Sequence, residues 1–104
     1  MTKEETISWI FLSIGIASKT EPTDYGGISQ IADGINHAIP THKEIQLSVN
    51  WLMKNNLIIK IKNKYSLSED GKNIFNKVRE ESQTIMKIWQ TLETEIINLN
   101  REIA

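Results

Sequence analysis

Apolar positions follow three rhythms along this chain, and each predicts a different kind of element. In the first segment they fall on nearly every face of a helix: Ile7, Trp9, Ile10, Phe11, Leu12, Ile14, Ile16 and Ala17. Such a helix is buried all round, because a surface helix keeps one polar face. Thr2-x-x-Glu5 reads as the capping box that opens it. Residues 18–27, with Pro22 and Gly26-Gly27, predict a loop. In the second rhythm the apolar residues form single stripes. Ile28, Ile31, Ala32 and Ile35 keep the i, i+3, i+4, i+7 spacing of a short second helix. Pro40 biases Ile39 away from helical geometry, and Thr41 with Glu44 makes a second capping box. The helix so opened, 41–54, turns Ile45, Ser48, Val49 and Leu52 inward. Lys43, Leu47, Asn50 and Lys54 then face outward, with Gln46 on their shoulder. Asn55-Asn56 suits the left-handed residue that ends a helix.

The third rhythm has period two. Leu57, Ile59 and Ile61 alternate with Ile58, Lys60 and Lys62, which predicts a strand with one largely apolar and one more polar side. Asn63-Lys64 makes a tight turn and 65–67 a returning strand, with Lys60, Lys62 and Lys64 at or near the hairpin tip. Ser68 caps a fourth helix, whose first turn holds Glu69 and Asp70 where the helix dipole favours acids. From about 69 to 102 Phe75, Val78, Ile85, Trp89, Leu92, Ile96, Leu99 and Ile103 lie on one heptad stripe, broken only by Ser82. One continuous helix of that length runs about 50 Å, beyond a compact domain whose radius of gyration is about 13 Å. Its far half then needs a second copy of the chain, with Val78, Ile85, Trp89, Leu92, Ile96 and Leu99 as the homodimer seam. The alternative is a break at Ser82-Gln83-Thr84 with the tail folded back onto its own domain. The expected fold is thus mostly α with a small β-hairpin, an α+β class. It forms one domain over 1–104, with helices and hairpin in 1–68 and a long C-terminal dimerisation helix in 69–104.

Composition narrows the partners more than the fold. No cysteine is present, so disulfides and thiolate metal sites are excluded. The apolar run 7–17 is too short to span a bilayer and follows Lys3-Glu4-Glu5, not the positive lead of a signal peptide. The expectation is a cytoplasmic protein with no membrane partner. The net charge of −1 conceals a segregation. Residues 41–79 hold eight basic side chains against three acids, whereas 1–40 and 80–104 each hold two against five. A basic centre between acidic flanks fits either a polyanionic partner or a solvated lysine-rich face.

Three stretches carry a likeness to known proteins: ISQIADGI, PTHKEIQLSVNWLMKNNLI and KYSLSEDGKNIF. With the order helix, helix, turn, helix, hairpin, long helix, they resemble the winged helix–turn–helix of bacterial regulators, the MarR-like and PadR-like repressors. The likeness covers 28–78; the first and last helices agree in role without a specific motif. NHAIPT is also similar to a segment of small bacterial winged-helix proteins, a likeness that brings no activity with it. The resemblance implies a recognition helix, 41–54, in the major groove of duplex DNA and a wing of Lys60, Lys62 and Lys64 on the phosphates. Carried over by position, Thr41, His42, Lys43, Gln46, Asn50 and Lys54 are the helix contacts, since Asn and Gln bond adenine and lysine reaches guanine or phosphate. Such regulators often place an arginine mid-face, where this chain has Leu47. A leucine suits a thymine methyl or a protein partner equally well.

Other chemistry finds little footing. His37 and His42 stand five apart across a turn with no standard ligand spacing, so they read as turn residues rather than metal ligands. No G-x-S-x-G, phosphate loop or paired-carboxylate motif points to an enzyme, and no cofactor is implied. Trp9, Trp51 and Trp89 sit on helical stripes and read as core or interface packing. Two functions follow: a dimeric DNA-binding transcriptional regulator, or a protein-interaction module docking through the Leu47 face.

Overall fold

A computed structural model describes residues 1–103, with side chains described through Arg101. Five helices and one two-stranded antiparallel sheet follow in the order α1 (Lys3–Ala17), α2 (Tyr25–Asn36), α3 (His42–Lys54), β1 (Ile58–Ile61), β2 (Lys64–Leu67), α4 (Glu69–Glu81) and α5 (Ile85–Ile103). The chain is therefore mostly helical, of α+β class. Among the described residues no helix is long and apolar enough to cross a membrane.

Helix α1 is the centre of the molecule. Its capping box forms in both directions, Glu5 N–H to Thr2 Oγ1 at 3.1 Å and Thr2 N–H to Glu5 Oε1 at 3.2 Å. Every residue from Thr6 to Gly15 is buried. The cover comes from all sides: α2, α3, α4, α5 and β2 all contact it. The buried hydroxyls of α1 find partners, as burial requires, whereas Ser48 Oγ on α3 has none among the described residues. Ser13 Oγ donates to the Trp9 carbonyl at 2.8 Å, and Trp9 Nε1 donates to the Ala32 carbonyl at 3.0 Å. The indole N–H of Trp89 reaches Ser8 Oγ at 3.0 Å, with its ring stacked 6.2 Å from that of Trp9. Trp51 Nε1 donates to Asn100 Oδ1 at 3.1 Å, so all three tryptophans act in packing.

Helix α2 starts earlier than the glycine pair suggested. Asp24 is its N-cap, accepting from Gly27 N–H at 2.9 Å, so Gly26 and Gly27 are helical and not loop. The cap offsets their poor helix propensity, and a Cβ at Gly27 would run into the Thr23 hydroxyl. His37 closes α2 in the left-handed conformation, φ 53°, its N–H on the Asp33 carbonyl. Pro40 and the Thr41 cap then open α3, where Glu44 N–H donates to Thr41 Oγ1 at 3.0 Å and Thr41 N–H to Glu44 Oε1 at 2.8 Å. The predicted inward stripe, Ile45, Ser48, Val49 and Leu52, is buried throughout. Asn56, at φ 60°, follows the C-terminus of α3.

The hairpin differs from expectation in two ways. Its two-residue turn is Lys62-Asn63, with Lys62 at φ 59°, one residue earlier than Asn63-Lys64. Its faces are also reversed. Ile58 and Lys60 lie opposite Leu67 and Tyr65 on the side turned to the core, while Ile59 and Ile61 face outward, 43% and 45% exposed. The register is held from β2, because Tyr65 and Leu67 are buried and Tyr65 also pairs with Thr23 through N–H···O bonds of 2.7 and 2.8 Å. At the hairpin base Ser68 caps α4, accepting from Gly71 N–H at 3.0 Å and donating to the Asn56 carbonyl at 2.6 Å. Gly71 lies against the Leu57 carbonyl so closely that no Cβ fits there.

The single helix over 69–102 is not present. Helix α4 stops at Glu81, Ser82 is extended, and Thr84 begins α5 by accepting from Lys87 N–H at 3.2 Å. Helix α5 turns back and packs along α1, giving extents of 29 × 26 × 26 Å. Val78, Leu92 and Ile96 are fully buried and Trp89 nearly so, Leu99 packs partly against the same core, and Ile85 is 39% exposed. The side chain of Ile103 lies outside the described residues. Among the described residues the proposed dimer seam is therefore largely covered within the chain, which removes the argument for a homodimer from an uncovered stripe. The physical reason is α1, whose last open side α5 closes.

Candidate nucleic-acid interface

Two elements stand clear of the core on the basic centre of the chain: the outer face of α3 and the hairpin. On α3 the cap and the buried stripe together leave Lys43, Gln46, Leu47, Asn50 and Lys54 exposed. At 13 residues the helix is about 20 Å long and about 10–12 Å across, dimensions that a major groove of about 12 Å admits. Thr41 is committed to capping, with its oxygen on Glu44 N–H. His42 is exposed on the first turn, its ring 5.0 Å from that of Tyr25.

The three hairpin lysines surround the tip and do not share a face. Lys62 occupies the turn, Lys64 is on the outer side opposite Ile61, and Lys60 is on the inner side with its ammonium 5.9 Å from the Tyr65 ring centre. An aromatic ladder fixes this hairpin to α3. His42 packs on Tyr25, Tyr25 stacks at 5.9 Å on Tyr65, and Lys60 sits over Tyr65. Burial first, then the neighbouring Tyr65, push the Tyr25 phenol above its ordinary value. Tyr25 is the positional residue missed in the sequence, where it fell in a loop. Its signal was the Asp24-x-x-Gly27 cap, which makes Tyr25 the first residue of a helix.

Among the described residues the one ion pair is Lys77 to Glu95, at 3.6 Å between α4 and α5. Lys43, Lys54, Lys60, Lys62 and Lys64 thus have no carboxylate against them among the described residues. Glu44, the one acid on α3, is occupied by the Thr41 N–H. His37 and His42 are separated by roles as well as sequence, one capping α2 and the other packing on Tyr25. Among the described residues no three His, Cys, Asp or Glu side chains gather as a metal centre requires. The arrangement offers cations, amides and one leucine on the exposed face of α3 and around the hairpin tip. No protein-family model, curated protein or solved structure matches the chain.

Proposed function

We propose that this chain is a winged-helix protein of the cytoplasm that binds duplex DNA and regulates transcription, with α3 as recognition helix and the hairpin as wing. The observation that carries the reading is the joint exposure of five lysines, unpaired among the described residues, on two elements joined through His42, Tyr25 and Tyr65. Helix α3 enters the major groove by its outer face, where Gln46 and Asn50 meet base edges and Lys43 and Lys54 meet phosphates. Lys60, Lys62 and Lys64 grip the adjacent backbone from around the tip. One copy of the chain suffices for this contact, and the seam assigned to a homodimer is not needed for it.

The test is fluorescence anisotropy of a labelled duplex over a salt series. Affinity falls with a log–log slope of about −0.9 per phosphate neutralised. Replacing Lys60, Lys62 and Lys64 together by alanine flattens the slope and weakens all sequences alike. Gln46→Ala or Asn50→Ala costs about 1–3 kcal/mol at a preferred site and little elsewhere. A second reading rests on the exposure of Leu47 at 40%, beside that of Ile59 and Ile61. It makes the same surface a protein-docking face, as apolar side chains at an interface core do. Absence of duplex binding at about 50 mM salt, with a partner protein lost on Leu47→Asp, decides for it.

A further inference from the structure

A cavity of about 550 Å³ opens between the end of α1, strand β2 and the corner where α4 turns into α5. That volume lies within the range of about 300–1,000 Å³ typical of small-molecule sites. Its floor is apolar, with Leu12, Phe75 and Ile88 all buried. Its rim is cationic: Lys19 from the turn after α1, and Lys72 and Arg79 from α4. No aspartate or glutamate lines it, and none of the three cations has a carboxylate partner among the described residues. The Arg79 guanidinium is held 5.7 Å from the Phe75 ring centre, so one rim charge is stationed over the floor. One of the chain's two arginines is thereby placed where an anion entering the cavity meets it.

We propose that this cavity binds an amphiphilic monoanion, a carboxylate with an apolar body, whose tail fills the space above Leu12, Phe75 and Ile88. The head group meets Arg79, Lys72 and Lys19 at the mouth. The apolar floor supplies area burial, and the guanidinium supplies the charge-assisted, two-pronged contact that distinguishes a carboxylate from an alcohol. A cation is rejected by the same three groups, and a bare phosphate or sulfate leaves the floor wet. The site lies apart from the outer face of α3, and the proposal does not depend on DNA binding.

Decanoate, 2-naphthoate and 1-decanol are titrated into the full chain by calorimetry, with amide shifts followed by NMR. Both carboxylates should bind at one saturable site and shift the amides of the α1 end, β2 and α4. The alcohol should bind more weakly. Lys72→Gln with Arg79→Gln should weaken decanoate about tenfold or more, the scale of losing charged hydrogen bonds, and leave 1-decanol unchanged. Lys19→Gln with Lys72→Gln, which spares the Arg79–Phe75 stack, should weaken it in the same sense. Lys43→Gln with Lys54→Gln, an equal charge loss on the outer face of α3, should leave decanoate binding unchanged. The proposal fails if decanoate does not saturate one site or if 1-decanol binds as tightly. It fails equally if the α3 pair weakens decanoate as much as the rim pair does, or if the shifted amides lie outside the cavity.

Discussion

Helices α1 and α3 are of similar length and both open with a threonine–glutamate capping box, yet they behave in opposite ways. Helix α1 carries apolar residues around its whole circumference and is covered on every side. Helix α3 buries one stripe and leaves Lys43, Gln46, Leu47, Asn50 and Lys54 outside. The first organises the domain by demanding cover; the second is held by one face and is free to meet a partner with the other. Stability and recognition are thereby assigned to different helices. Substitutions on α1 and its cover should act on folding, and those on the outer face of α3 on binding.

The largest expected effect is on the cover of α1. Leu92→Lys drives an ammonium into a fully buried position on α5, adding an unpaired charge to a lost apolar contact. A cost above about 4 kcal/mol is expected, a large part of the total stability of a domain this size. Circular dichroism should show the variant largely unfolded at room temperature, whereas a folded protein with the wild-type melting point would remove α5 from the core. Next comes the joint between frame and face. Gly71→Ala forces a methyl into the Leu57 carbonyl, and about 3 kcal/mol of destabilisation by urea titration is expected. On the face itself, Thr41→Ala removes the α3 cap and should cost about 1 kcal/mol, with amide exchange accelerated in the first turn of α3 only.

The smallest effect is a dependence on pH. Burial, then Glu5, then Glu4, raise the Glu93 carboxyl above its ordinary value. A raised folded-state value means that ionisation of this acid opposes folding. The penalty is absent below the unfolded value and complete above the folded one, so stability falls as pH rises between them. Glu93→Gln should match wild type in melting temperature at low pH and exceed it at neutral pH. Equal melting curves at both would show that neither burial nor the neighbouring Glu5 and Glu4 raises this carboxyl.

Local chemistry made much of this molecule readable from its residues. The caps at Thr2, Thr41 and Ser68 depend on contacts within one turn, and helical periodicity alone puts the inward stripe of α3 opposite its exposed face. What depended on distant packing was misread. The heptad stripe from Phe75 to Leu99 needed a cover, and α1 needed one more neighbour; the break at 82–84 with the tail folded back, which the sequence left open beside the continuous dimerisation helix, is what joins them. Trp89 shows the link, donating to Ser8 from the far end of the chain. The hairpin faces were reversed for a related reason, since Tyr65 and its Thr23 partner, not the alternation of β1, decide which side is buried. Tyr25 was overlooked because its value lies in the two rings it touches, His42 and Tyr65.

The DNA-binding surface is tested most directly by amide-shift mapping with a short duplex at about 50 mM salt. Binding through the proposed face shifts residues 41–54 and 60–64 as duplex is added, leaves the α1–α5 contact unmoved, and reverses as salt rises. No shift at that salt, or shifts centred on α5 with α3 and the hairpin unchanged, would contradict it.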